Sequence, residues 1–156
     1  MIATRPFGFM LRLRTQRAEG GPMTSGKTDS QPSAPSDSRY NIHLDDKFGH
    51  SALIDAGAEA AAHEPWFNQT LTTVNQSLVR LGVFKGEFHW HKHDAEDEFF
   101  FVLEGTLLLD IEGQGTVSLG SHQGYTVPKG VVHRTRSPER SVVLMVEADG
   151  VVPTGD

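Results

Sequence analysis

The sequence predicts an all-β domain, a sandwich or barrel of short strands, and three observations carry that prediction. From Leu71 onward, short β-rich runs alternate with glycine, proline and acidic turns. The runs recur at close, regular spacing, the pattern of sheets that pack face to face or close on themselves. No stretch repeats another, which points to one barrel rather than a duplicated pair.

Taken in order, residues 1–39 read as a disordered tail or a misassigned leader. Met23 to Ser38 contains almost nothing apolar to bury. Arg5, Arg12, Arg14 and Arg17 all precede the first acidic residue, Glu19, as in a transit peptide, but the serine-richness of such peptides is missing. The preferred reading starts the protein at Met23 and keeps it cytoplasmic. Residues 40–75 read as an arm that packs on the barrel. The alanine-rich stretch Ala52–His63 predicts a short helix that stops before Pro65. The barrel is expected over 76–147 and a C-terminal tail over 148–156. Its expected strands are Ser77–Phe84, Glu87–His93, Glu98–Glu104, Thr106–Ile111, Gly115–Leu119, Gly124–Val127, Val132–Arg136 and Ser141–Glu147. Gly105 and the run from Glu112 to Gly115 read as hairpin turns. Pro128-Lys129-Gly130 reads as a turn between two strands.

Composition removes several function classes. The chain has 156 residues and no cysteine, which excludes disulfides, thiolate metal sites and cysteine nucleophiles. Residues 1–39 carry six Lys/Arg against three Asp/Glu, and residues 40–156 carry eight against seventeen. An acidic barrel repels nucleic-acid backbones and suits a cation. No apolar run has the length to span a bilayer.

The most informative stretch is Gly86-Glu87-Phe88-His89-Trp90-His91-Lys92-His93. In a strand, His89, His91 and His93 share one face, with Phe88, Trp90 and Lys92 on the other. Glu98 follows an acidic turn and opens the next expected strand, beside the histidines. His133 comes three residues after Gly130. Three imidazoles and one carboxylate suit Mn, Fe, Ni, Cu or Zn as a divalent ion and leave positions open for water or substrate.

These residues resemble two sequence motifs of the cupin superfamily. His91, His93, Glu98 and Gly105 match the first motif, and Pro128, Gly130 and His133 match the second. Trp90-His91-Lys92-His93, Asp97-Glu98 and the terminal Val152-Pro153-Thr154-Gly155-Asp156 look like the small single-domain cupins labelled mannose-6-phosphate isomerase-like, whose substrate is unassigned. The resemblance implies a double-stranded β-helix, or jelly roll, often a homodimer, with one metal inside on His91, His93, Glu98 and His133. Three departures stand out. Gly86 is one residue closer to His91 than the motif asks, His89 is an added histidine, and the Asn that trails the second motif is replaced within Arg134-Thr135-Arg136-Ser137. Ligation by His89 and His91 instead is disfavoured, because it sets Glu98 too far from the pair.

Other residues have expected places. His89 is placed in the cavity outside the ligand shell, as a proton carrier. Phe100 shares the face of Glu98 and lines the cavity, whereas Phe99 and Phe101 face outward and need cover. Tyr125 is a pocket candidate whose simpler role is packing. Arg80, in an apolar run, either meets a carboxylate or phosphate inside or lies on an exposed face. The implied functions are a metal-dependent dioxygenase or isomerase acting on a small organic acid or sugar, or a non-catalytic module that binds a small ligand.

Overall fold

A computed structural model describes residues 40–156; the expectations for residues 1–39 lie outside the described residues. The elements are β1 (Asn41–His43), α1 (Ala56–Ala61), β2 (Phe67–Val74), β3 (Ser77–Glu87), β4 (Glu98–Glu104), β5 (Thr106–Ile111), β6 (Gly115–Gly120), β7 (Gly124–Val127) and β8 (His133–Ala148). The described part is thus all-β apart from one short helix. The helix is shorter than the alanine run because its first turn begins where Asp55 can cap it, accepting from the Ala58 amide at 2.9 Å.

β8 organises the fold. Its second half pairs with β3 on one side and β4 on the other, and its first half pairs with β5 and with the end of β3. β7 extends the sheet from β4, while β1 and β2 extend it from β3. Two strands were expected where this one 16-residue strand runs. Pro138 does not end it, because the β3 register jumps from Ser141 to Ser137 and leaves residues 138–140 outside the ladder.

Gly105 is not a hairpin turn. β4 and β5 do not pair with each other; they pair with different halves of β8. Gly105 takes φ +80° where the chain crosses between those halves, and a Cβ there would meet the Arg140 carbonyl at 2.5 Å. Glu112 to Gln114 does close the hairpin between β5 and β6.

The side chains of alternate positions fill the barrel. Phe84, Phe100, Val102, Leu107, Leu109, Leu119, Val127, Val143 and Met145 form one buried cluster. The opposite face of β3 packs a second, in which Leu81 and Val83 meet Phe67, Leu71 and Ala60 from β2 and α1. Phe48, Ile54, Ala56 and Ala60 thus cover this outer face, whereas β1 and β2, expected in the arm, are strands of the sheet itself. Phe99 and Phe101 are half-buried on the outer face of β4 and stack on each other with centroids 6.3 Å apart.

Candidate metal centre and cavity

The strand expected over Glu87–His93 is largely absent. β3 continues through Glu87, and residues 88–93 follow as an irregular segment held by single contacts. The cause is local. Gly86 takes φ +96° at a register irregularity between β3 and β8, after which no continuous ladder imposes a two-residue alternation. Phe88 and His91 consequently line the same cavity, although alternation set them on opposite faces.

What pins this segment is a mutual backbone pair. The His91 amide donates to the His133 carbonyl and the His133 amide to the His91 carbonyl, both at 2.9 Å. The two halves of the candidate site, 42 residues apart in sequence, are thereby locked edge to edge. The Gly130 amide donates to the His93 carbonyl at 2.7 Å, so the turn at Pro128–Gly130 fixes the third histidine. Glu98 comes from the first position of β4 and points inward with Phe100.

The side chains converge. Donor atoms of His91, Glu98 and His133 lie within 4.8 Å of one another; His93, the fourth expected ligand, falls outside that group and meets it only at Glu98. Glu98 Oε2 is 3.2 Å from His133 Nε2 and 3.4 Å from His93 Nε2. His91 Nδ1–H donates to the His89 carbonyl at 3.1 Å and His133 Nδ1–H to the Val131 carbonyl at 3.0 Å. Those bonds fix both tautomers and aim each Nε2 lone pair into the site. Both ring nitrogens of His93 are buried without a hydrogen-bond partner. A buried polar nitrogen without a partner is costly, and a cation beside Glu98 would satisfy it. The residues present therefore fit a divalent metal ion.

The electrostatics agree. Burial and the neighbouring His133 depress His91 to a pKa of about 4, so it stays neutral in mild acid. Burial alone would raise Glu98, but the adjacent His133 and His93 imidazoles outweigh it and lower the carboxyl to about 2. Burial pulls His93 down, yet the Glu98 carboxylate beside it gives a net upward shift.

A cavity of about 270 Å³, partly open to solvent, adjoins these residues. Trp66, Phe84, Phe88, Phe100 and Met145 make its apolar walls, and His91, Glu98 and Thr135 its polar corner. Pro153 closes one side. The residues expected to be a C-terminal tail are thus part of the cavity wall. The Asp156 amide donates to the Lys92 carbonyl at 3.0 Å, and its carboxylate accepts from the Asp94 amide at 2.7 Å. Gly155, at φ +87°, lies so close to His91 that a Cβ would come within 2.6 Å of the His91 Cβ.

The remaining expected residues are placed as follows. His89 is turned toward this C-terminal segment and is not among the cavity-lining residues. Its Nε2–H donates to the Thr154 carbonyl at 2.8 Å, and its Nδ1 faces the Tyr40 hydroxyl at 3.5 Å. Phe100 lines the cavity. Tyr125 is half-buried and packs on the barrel cluster without lining the cavity. Arg80 is fully buried, and its Nη1 meets Glu147 Oε1 at 3.2 Å. Arg80 Nε also donates to Asn68 Oδ1 at 2.9 Å and Nη2 to the His43 carbonyl at 3.4 Å. Burial lowers Arg80 and pushes Glu147 up to about 7, against the pull of the guanidinium. Sequence reasoning missed Glu147, Trp66, Phe84, Phe88, Thr135, Met145 and Pro153. Inward alternation along β3 and β8 held a signal for Phe84, Met145 and Glu147; Pro153 stood in the terminal stretch that carried the resemblance, and Trp66 lies outside any motif.

A strand-built barrel with histidines and a glutamate from two separated segments meeting at one end defines a cupin. The chain belongs to the cupin superfamily: the family model described as "Cupin domain" matches residues 78–147. A Bacillus subtilis (strain 168) relative, "Uncharacterized protein YdbB", is 49% identical over 80 residues, which cover 51% of this chain and 71% of the relative. Among solved structures, a cupin-2 domain containing protein from Shewanella frigidimarina NCIMB 400 is 29% identical with a TM-score of 0.58, over 62% of this chain and 94% of that one. BH2720 from Bacillus halodurans shares the fold at 17% identity and a TM-score of 0.59, over 72% of this chain and 92% of that one. Among the described residues, no helix is long and apolar enough to cross a membrane.

Proposed function

We propose that this cupin binds one divalent metal ion on His91, His93, Glu98 and His133 and is a metal-dependent enzyme acting on a small organic molecule, a dioxygenase rather than an isomerase. The observation that carries the reading is the buried His93, which faces Glu98 with neither ring nitrogen hydrogen-bonded, beside two histidines whose tautomers are already set for ligation. A bound ion of this kind supplies Lewis acidity, or with iron or manganese the activation of dioxygen. The chain's own residues hold the ion, keep it at one end of an apolar cavity, and limit water there. Isomerisation of a sugar or keto acid by proton transfer needs a base that faces the substrate. Among the described residues, His91 and Glu98 are the titratable side chains lining the cavity, and both are assigned to the metal. This supports metal-centred oxidation over a proton-shuttling isomerase.

Metal analysis of protein from its native host tests the first part. His91→Ala and His133→Ala should each lose the metal, and full retention in both refutes the site. Oxygen uptake with a panel of organic substrates tests the second. Saturable ligand binding without oxygen uptake or product would leave a binding module instead.

A further inference from the structure

The cavity walls say more about the ligand than the metal does. Five of its lining side chains are Trp66, Phe84, Phe88, Phe100 and Met145, and no Lys or Arg is among the rest. The fully buried cation near the site, Arg80, is already committed to Glu147, Asn68 and the His43 carbonyl. Its charge is neutralised where it lies, so an incoming phosphate finds no cationic partner among the described residues that line the cavity. With Glu98 at the metal, a divalent ion leaves about one unit of positive charge, which matches a single anionic oxygen and not a dianion. The enclosed part of the cavity is small and its mouth is open to solvent, so the ligand is compact. Aromatic walls favour a flat π-system, which gains offset or edge contacts with the rings in addition to area burial.

We infer that the cavity takes a small, flat, apolar molecule with one metal-directed oxygen, a phenol or enol in class, and excludes phosphorylated sugars. The inference rests on the metal reading above and deepens it. Thr135, the remaining polar lining residue, offers a hydroxyl but no charge.

The chain supplies its own reporter. It has two tryptophans, of which Trp66 lines the cavity and Trp90 is exposed under the Arg134 guanidinium at 5.0 Å. A Trp90→Phe variant keeps a ring under Arg134 and leaves Trp66 as the only indole. The full-length variant is loaded with zinc, its metal content is measured, and it is titrated with phenol and separately with glucose 6-phosphate while Trp66 emission is followed. Phenol should give a saturable change and bind at least about tenfold more tightly, equivalent to ~1.4 kcal/mol. Adding Phe88→Ser should weaken phenol by a similar factor with zinc content unchanged, because Phe88 is a wall and not a ligand. With zinc bound, equal or tighter glucose 6-phosphate binding overturns the ligand class and leaves the metal site standing. If zinc is not retained, the metal reading fails, and the same titrations on the metal-free chain decide the ligand class. A selective phenol response there keeps the flat, apolar ligand class and overturns the metal-directed oxygen, and no response refutes both.

Discussion

Replacing Arg80 with Met removes the buried guanidinium facing Glu147. The Arg80 side chain is 0% exposed and the Glu147 side chain 2%, so water cannot take over the contact between them. Three acceptors lose their donor: Glu147 Oε1, Asn68 Oδ1 and the His43 carbonyl. Breaking a buried pair from one side ordinarily costs ~3–5 kcal/mol. Here Glu147 has an escape, since burial already holds it near a pKa of about 7 with Arg80 in place. Without Arg80 it rises further, and the carboxyl stays protonated in the folded state. Below that value both proteins carry a neutral Glu147, and the cost is the lost hydrogen bonds, ~1–3 kcal/mol. Above it the parent ionises while the variant holds its proton. The unfolded carboxyl, with an ordinary value of 4.5, is already ionised in both. A folded-state pKa above the unfolded one means stability falls as pH rises, by ~1.4 kcal/mol per unit for one proton. The parent's loss from Glu147 therefore levels off above about 7, whereas the variant's continues. Urea unfolding of chelator-treated parent and variant at about pH 6 and about pH 8 measures this directly. The destabilisation should grow by ~1 kcal/mol between the two. Adding Glu147→Gln should abolish that growth. A destabilisation that is independent of pH, or below ~1 kcal/mol throughout, refutes the buried-pair argument.

Asp110 accepts from Thr116, Arg134 and Arg136, joining β5 to β6 and β8, and the Arg136 contact foremost holds its carboxyl well below the usual range. Asp110→Ala should cost ~1.5–3 kcal/mol in denaturant unfolding with zinc content unchanged, and a loss below ~0.5 kcal/mol would show the cluster to be solvent-compensated. Gly155→Val adds a side chain where a Cβ would lie 2.6 Å from the His91 Cβ and at a φ that valine resists. It should displace the C-terminal wall and weaken phenol binding to the zinc-loaded protein, and unchanged binding would remove that segment from the site. Metal affinity should fall as pH falls, because His93, whose pKa is shifted upward, must lose its proton to bind, whereas His91 at about 4 is already neutral. Competition against a chromophoric chelator across the acid range checks this, and a flat profile contradicts it.

The sequence made the strand-rich character and the candidate ligands legible, for local reasons. Alternating apolar residues in Glu98–Glu104 and Thr106–Ile111 mark strands half-buried in a barrel, and β4 and β5 have those bounds. His91, His93, Glu98 and His133 were recognisable because metal chemistry needs those side chains at those spacings. The path between elements was less legible. Gly105 announces a sharp turn, but whether the flanking strands pair with each other or with a third strand depends on β8, some thirty residues further on. The alternation assumed for Phe88 to His93 failed because a two-residue period holds only where a neighbouring ladder enforces it.

By itself, then, the sequence determined the fold class, the absence of thiol chemistry and a set of metal-suited donors, since these depend on residue type and short-range period. Tertiary structure alone decided how those donors are used. The His91–His133 backbone pair brings two distant segments together, His89 turns to the Thr154 carbonyl, and Arg80 is spent on Glu147. It also built the cavity from Trp66, Phe88 and Pro153, which come from three separate segments of the chain. Donor identity is written in each residue, but the direction a side chain takes is set by the partners that long-range packing brings to it.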